Sequence, residues 1–389
     1  MSLSGFVNLF RYNKAKYSFL FCLVFACAIF ENFKLGQNVA LSDVLYAIFG
    51  FLFFLKLFKF RTNNRALSLF LYPLLFFIIA FIDFQSFNAS KMFMSQLRFC
   101  FNCVIFATIA SFFVNSSLRT REKLISSYVY ICTIASAFII VQFLSFYLLR
   151  FNLAFDFGSY QGGLNHASLE VPSLGALYRT GGFFKEPSWY ALFVGPVLDI
   201  AYKRGQIKEL VVCVVGMVFS TSSMAFLFLM FFVYFDLKSN RKYLILFIVA
   251  AISLYFVFPM AFTRLLGALT FEEGADNSNN GRVILPFTLI WEYGNFPLLG
   301  LNISTLYDMQ ETLFLNTFLF VLTSFGIVGL CLFLKMIYQK DSPLLTFILI
   351  STVIIEGCYG RIDFWMALLA TTIFTYSSNK QLNLHKINS

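Results

Sequence analysis

The sequence predicts an all-α polytopic membrane protein, and three observations carry that prediction. Of its 389 residues, 59% are apolar and only 12% are charged, whereas soluble domains carry about 25% charged residues. Mean hydropathy is +0.77, with 55 phenylalanines, and no water-soluble fold encloses that much apolar surface. The apolar residues also fall in runs near the roughly 20 residues that cross a bilayer, where only helices or closed barrels satisfy the backbone. The runs lack the alternation of barrel strands. Soluble enzymes, nucleic-acid binders and secreted disulfide scaffolds are thereby excluded, and residues 1–389 read as one integral-membrane domain.

Taken in order, the runs predict about twelve helices near 17–33, 40–58, 66–84, 98–114, 124–149, 188–202, 207–220, 224–237, 242–262, 312–337, 343–358 and 363–377. The first follows Arg11, Lys14 and Lys16 and continues apolar through Ile29 and Phe30, so it reads as an uncleaved signal-anchor. Residues 210–235 are interrupted only by Ser220-Thr221-Ser222-Ser223. A single helix there would put Lys238, Arg241 and Lys242 outside, against the positive-inside bias, so two short spans meeting at that turn are expected. With both termini cytoplasmic, 20 of the 29 Lys and Arg lie inside. Nine remain outside: Lys34, Lys91, Arg98, Arg150, Arg179, Lys185, Arg264, Arg282 and Arg361. The acids split five inside and 14 outside. The eight cysteines lie in or beside apolar runs. Even Cys100 and Cys103, at redox-motif spacing, fall in a span that solvates a thiolate poorly and read as packing residues.

Only residues 150–187 and 263–311 form long connections, both on the outer side, and long loops usually carry function. The first ends in Arg179-Thr-Gly-Gly-Phe-Phe-Lys185-Glu186-Pro-Ser-Trp-Tyr-Ala191. Pro187 suits a first helical turn, and Glu186 sits near the positive end of the dipole. Gly181 and Gly182 allow close backbone approach or unusual dihedrals. The second loop carries Arg264 and Arg282, the latter followed by an apolar interfacial stretch. Each of these cations reads either as a snorkelling anchor or as a guanidinium donor for phosphate. Asn316, one turn into the tenth span, reads as an interhelical hydrogen-bonding amide or a site group. Ser222, in the Ser/Thr turn, could meet sugar hydroxyls or satisfy helix ends. Glu356, Arg361 and Asp363 read as a local ion-pair cluster.

This ordered set resembles the bacterial polysaccharide repeat-unit polymerases of the Wzy type, within the O-antigen ligase and polymerase superfamily. The resemblance covers residues 170–335. It rests on the 179–191 signature, the Ser/Thr turn before Met224, Thr263-Arg264-Leu265, Asn280-Gly281-Arg282, Pro297-Leu298-Leu299-Gly300 and Asn316 ahead of Gly326-Ile-Val-Gly329. It implies a GT-C-like membrane glycosyltransferase in the bacterial inner membrane, working at the periplasmic face on undecaprenyl-pyrophosphate-linked oligosaccharide. Its implied partners are that lipid-linked substrate and the bilayer, with room for a chain-length regulator protein and none for nucleic acid. Arg179 and Arg282 would stabilise the leaving pyrophosphate, with Lys185, Arg264, Ser222 and Asn316 as further binding groups. Glu186 would be the general base, with His166 as the alternative. No cofactor or metal is implied. The related O-antigen ligases place a His before the late-span Asn, where this chain has Leu315. A transporter of lipid-linked oligosaccharide is the competing class, although such proteins tend to carry repeats and midplane charges.

Overall fold

The computed structural model describes residues 18–33, 35, 39–57, 64–82, 90–151, 153, 166–171, 175–184, 186–237, 298, 300, 316–355 and 357–388. Its helices are α1 (Phe19–Ala26), continued by a 3-10 segment (Cys27–Asn32), then α2 (Leu41–Leu57), α3 (Asn64–Ile82), α4 (Ser90–Asn115) and α5 (Leu118–Leu149). After strands β1 (His166–Val171) and β2 (Gly175–Thr180) come α6 (Pro187–Val194), α7 (Val197–Lys203), α8 (Ile207–Phe219) and α9 (Ser223–Phe232). The described part closes with α10 (Thr317–Ile337), α11 (Pro343–Ile355) and α12 (Ile362–Asn388). The run expected at 242–262 lies outside the described residues.

The chain is a helical protein built for an apolar solvent. Met94–Asn115, Leu118–Leu149 and Thr317–Ile337 are long and apolar enough to cross a membrane, and shorter apolar helices flank them. On α2, Val44, Ile48, Phe51, Leu52 and Leu55 are exposed at helical spacing, as are Leu71, Leu74, Leu75 and Ile78 on α3. Such continuous apolar faces are unfavourable in water and suited to lipid. Lipid gives no hydrophobic drive for helices to associate, so shape and ring packing must do it. The Phe99 ring lies 5.1 Å from Phe76, 5.2 Å from Phe325 and 5.7 Å from Trp365, joining α3, α4, α10 and α12. Each such pair contributes about 0.5–1.5 kcal/mol beyond the area it buries.

Three local features depart from, or sharpen, the expected elements. The helical fold carries one small hairpin in the first long connection, where β1 and β2 pair antiparallel with His166 opposite Thr180 and Ala167 opposite Arg179. Ala167, Leu169 and Val171 alternate with His166, Ser168 and Glu170, the period-two pattern of a strand. The run expected over 188–202 divides at Gly195-Pro196 into α6 and α7, because Pro196 has no N–H to continue the ladder. The turn between α8 and α9 falls at Ser220–Ser222, with Thr221 left-handed at φ 52°, so residues 207–232 form two helices.

Helix α10 is itself broken. Gly326 has φ 68° and ψ −170° within it. Against this break lie Leu298 and Gly300, the two described residues of the 263–311 segment. The Val328 N–H donates to the Leu298 carbonyl at 3.3 Å. Gly326 is nine residues into α10, about 14 Å along its axis at 1.5 Å per residue. This part of the 263–311 segment therefore sits beside the middle of a helix rather than beyond its end.

Candidate functional site

The start of α6 is built by the turn 180–186. Gln142 on α5 accepts a hydrogen bond from the Thr180 hydroxyl, and its own amide donates to the Leu153 carbonyl at 2.7 Å. Thr180 Oγ1 in turn accepts from Gly182 N at 3.1 Å. Phe183 stacks on Phe138 with ring centroids 4.3 Å apart. A Cβ on Gly181 would stand 2.5 Å from the Phe184 carbonyl oxygen, and one on Gly182 (φ +66°) 2.8 Å from Ile139. The room at these glycines is thus filled by the chain itself, and their role is to close the turn rather than to admit an anion.

Glu186 follows as the N-cap residue of α6, with Pro187 at the first helical position. Its carbonyl accepts from Trp189 N and Tyr190 N at 3.1 and 3.3 Å. Its carboxylate does not cap the helix; it accepts from Ser188 Oγ at 3.3 Å on Oε2. One turn on, the Arg361 guanidinium lies 3.6 Å above the Trp189 ring. Arg361 also pairs with Asp363, Nε to Oδ1 at 3.2 Å and Nη2 to Oδ2, and Asp363 Oδ1 accepts from Phe364 N at 2.7 Å in the first turn of α12. Both residues are buried. The local ion pair expected from Arg361 and Asp363 is present, and Glu356 lies outside the described residues.

Further charges join this end of the helices. Arg98 on α4 pairs with Asp43 on α2 at 2.7 Å, and Asp43 Oδ2 accepts from Ala40 N at 2.9 Å. Gly360 stands against Arg98: a Cβ there would lie 3.4 Å from Cδ and Nε of that arginine. Glu31, in the 3-10 segment, is 7% exposed. The charges of Asp363, Arg361, Arg98 and Asp43 all act on it. Its Oε2 is enclosed and without a hydrogen-bond partner among the described residues. Tyr359 stacks on Phe320 at 3.8 Å. Burial pushes its phenol above the usual tyrosine value, against the opposing pull of Arg98 and Ser95.

No family model, curated protein or solved structure matches the chain. The site therefore rests on this chain's own residues. Asn316 is the N-cap of α10, its Oδ1 accepting from Leu319 N at 2.9 Å. It is a capping residue just outside the helix, not an amide one turn into a span. Next to it, Thr317 Oγ1 accepts from Cys358 N at 2.6 Å, and the Cys358 carbonyl accepts from Arg361 N at 3.1 Å. The starts of α6 and α10 are thus tied to the same turn, 357–363.

Ser222 is buried at the N-cap position of α9 without a side-chain cap bond. Beside it, Ser220 and Thr221 donate their hydroxyls to backbone carbonyls. Arg179 lies on β2 by its backbone, one residue from Thr180, and His166 pairs opposite Thr180. Lys185, Arg264 and Arg282 lie outside the described residues. Among the described residues, no three His, Cys, Asp or Glu side chains are spaced to hold a metal ion. Sequence reading missed Glu31, Asp43 and Arg98 as site groups, and Gln142 altogether. A glutamine in an otherwise apolar run was the available signal for the last.

Proposed function

We propose that the chain polymerises undecaprenyl-pyrophosphate-linked oligosaccharide repeat units into O-antigen, capsule or exopolysaccharide at the periplasmic face of the bacterial inner membrane. On this reading it is a twelve-span, GT-C-like glycosyltransferase with both termini cytoplasmic. The observation that carries the reading is the meeting of two separate resemblance motifs, one starting α6 at Glu186 and the other starting α10 at Asn316. Both are tied to the turn that holds Arg361 and Asp363. In the reaction, an acceptor sugar hydroxyl attacks the anomeric carbon of the lipid-linked chain while the bond to pyrophosphate breaks. Negative charge grows on the leaving group, so Arg179 and Arg282 act as its electrostatic partners. Lys185, Arg264, Ser222 and Asn316 contribute binding, and a carboxylate takes the hydroxyl proton, for which the sequence puts forward Glu186.

The test is surface polysaccharide in a gene-deleted strain complemented with variants, with membrane protein level followed by blot. Deletion is expected to leave surface lipid capped with a single repeat unit. A flippase would block export of that unit, and a ligase would strand polymer on the carrier. Arg179→Lys and Arg282→Lys are each expected to lower polymerisation about 10²–10³-fold, the loss typical for a preorganised donor to developing charge. A lysine has no planar fork for phosphate. Near-normal polymer from both well-expressed variants would make these arginines mere anchors.

A further inference from the structure

Among the described residues, the charged groups around Glu31 do not balance. Five of them come from four separate stretches of chain: Glu31, Asp43, Arg98, Arg361 and Asp363. Two ion pairs, Arg98–Asp43 and Arg361–Asp363, account for four. Glu31 is the fifth, 7% exposed, with one carboxyl oxygen enclosed and unpartnered among the described residues. A carboxylate taken out of water is retained only if something neutralises it, a proton or a counter-charge. Both neighbouring cations already have a closer carboxylate, and no ligand set for a metal ion is present among the described residues. The Arg98–Asp43 pair beside it is partly open, with side chains 35% and 21% exposed, so a ligand can reach this end of the helices.

We propose that Glu31 is the proton acceptor of the glycosyl transfer, and that the acceptor sugar hydroxyl is seated between Glu31 and Arg98. The assignment rests on the polymerase reading and refines it: Glu186, partly exposed and hydrogen-bonded by Ser188, orients the hydroxyl rather than taking its proton. In the step, the acceptor O–H bond breaks and its oxygen forms the new bond to the anomeric carbon. The old C–O bond to pyrophosphate breaks, its electron pair leaves with the lipid pyrophosphate, and the proton ends on the Glu31 carboxylate. Among the described residues, the groups facing Glu31 are Asp43 from α2, Arg98 from α4, Arg361 and Asp363 from the start of α12, and Cys27 from its own segment. Two cations and two carboxylates thus surround the Glu31 carboxyl. A group exchanging one proton per turnover needs both.

Two measurements decide it. In complemented deletion strains at several external pH values, Glu31→Gln is expected to give single-unit surface lipid at normal protein level. Glu31→Asp should keep partial polymerisation with a displaced acid limb, and Glu186→Gln partial polymerisation with the wild-type pH profile. On the purified full chain, infrared pH titration should show a protonated-carboxyl C=O band that Glu31→Gln removes. Normal polymer length from Glu31→Gln, or a titrating band unchanged by that substitution, overturns the assignment while leaving the polymerase reading intact. A deletion strain that still makes full-length polymer overturns the polymerase reading itself, and the role of Glu31 falls with it.

Discussion

At Gly300 and Gly326 two stretches of backbone meet where no side chain fits. A Cβ on Gly326 would stand 2.5 Å from Gly300 N, and one on Gly300 would stand 2.8 Å from the Ser324 carbonyl oxygen. Both residues also have positive φ. Gly205 offers an internal comparison, since it has φ +65° but nothing within 4 Å of its missing Cβ. Gly205→Ala should therefore cost only the conformational strain, about 1–2 kcal/mol. Gly326→Ala adds a backbone displacement to that strain, with overpacking worth about 1–3 kcal/mol more. Thermal unfolding of the purified proteins is expected to rank wild type, Gly205→Ala and Gly326→Ala in falling order. Equal midpoints for the two variants would mean that Leu298 and Gly300 do not press on α10. The residues of this contact stood out in the sequence as two Gly motifs, but their meeting did not. Nothing in a one-dimensional pattern states that residues 300 and 326 touch. The same holds for Asp43 and Arg98, which lie 55 positions apart on two apolar helices.

Among the elements, the sequence was most legible where chain chemistry acts locally. Pro187 starts α6, and the Ser/Thr turn divides α8 from α9. The β1–β2 hairpin was legible in principle from its alternation and from Pro172-Ser173-Leu174 followed by Gly175 at the start of β2, but it is short beside the apolar runs. Gln142 is what fixes this hairpin's exit to α5, holding Thr180 and Leu153 at once. Replacing it removes one buried and one part-buried hydrogen bond, each worth about 0.5–1.5 kcal/mol. Gln142→Leu is expected to speed proteolytic cleavage within 150–186 several-fold while leaving far-ultraviolet circular dichroism unchanged. A wild-type cleavage rate would show that the aromatic stack of Phe138 on Phe183 holds the turn alone.

At the scale of the whole molecule, contacts gather at two ends. At one, Lys203 pairs with Asp199 at 2.7 Å, Ser342 donates to Asp199 at 2.6 Å, Arg204 donates to Ser126 at 2.8 Å, and Arg121 lies 4.9 Å over the Tyr376 ring. At the other are Glu31, Asp43, Arg98, Arg361 and Asp363. Polar residues distant in sequence thus meet at the helix ends, away from the apolar middles of the helices. The prediction at this scale is accessibility. Cysteines introduced at Ser159 and Ser278 are expected to react with an impermeant thiol reagent in intact spheroplasts above the background of the native cysteines, whereas one at Lys208 should react only after permeabilisation. Protection of either outer position would reverse or break the assigned parity.

The docking of Leu298 on the break in α10 also sets an order of events during synthesis. Leu298 and Gly300 leave the ribosome before Gly326, so the early partner must wait for the late one, and the half of α10 after the break acquires its Leu298 hydrogen bond only once both are in place. Chains emerge over seconds, at about 5–20 residues per second. A nascent chain halted before residue 326 would carry Leu298 and Gly300 without the helix break against which they lie. This contact is therefore completed only once the carboxyl-terminal third of the chain has been made.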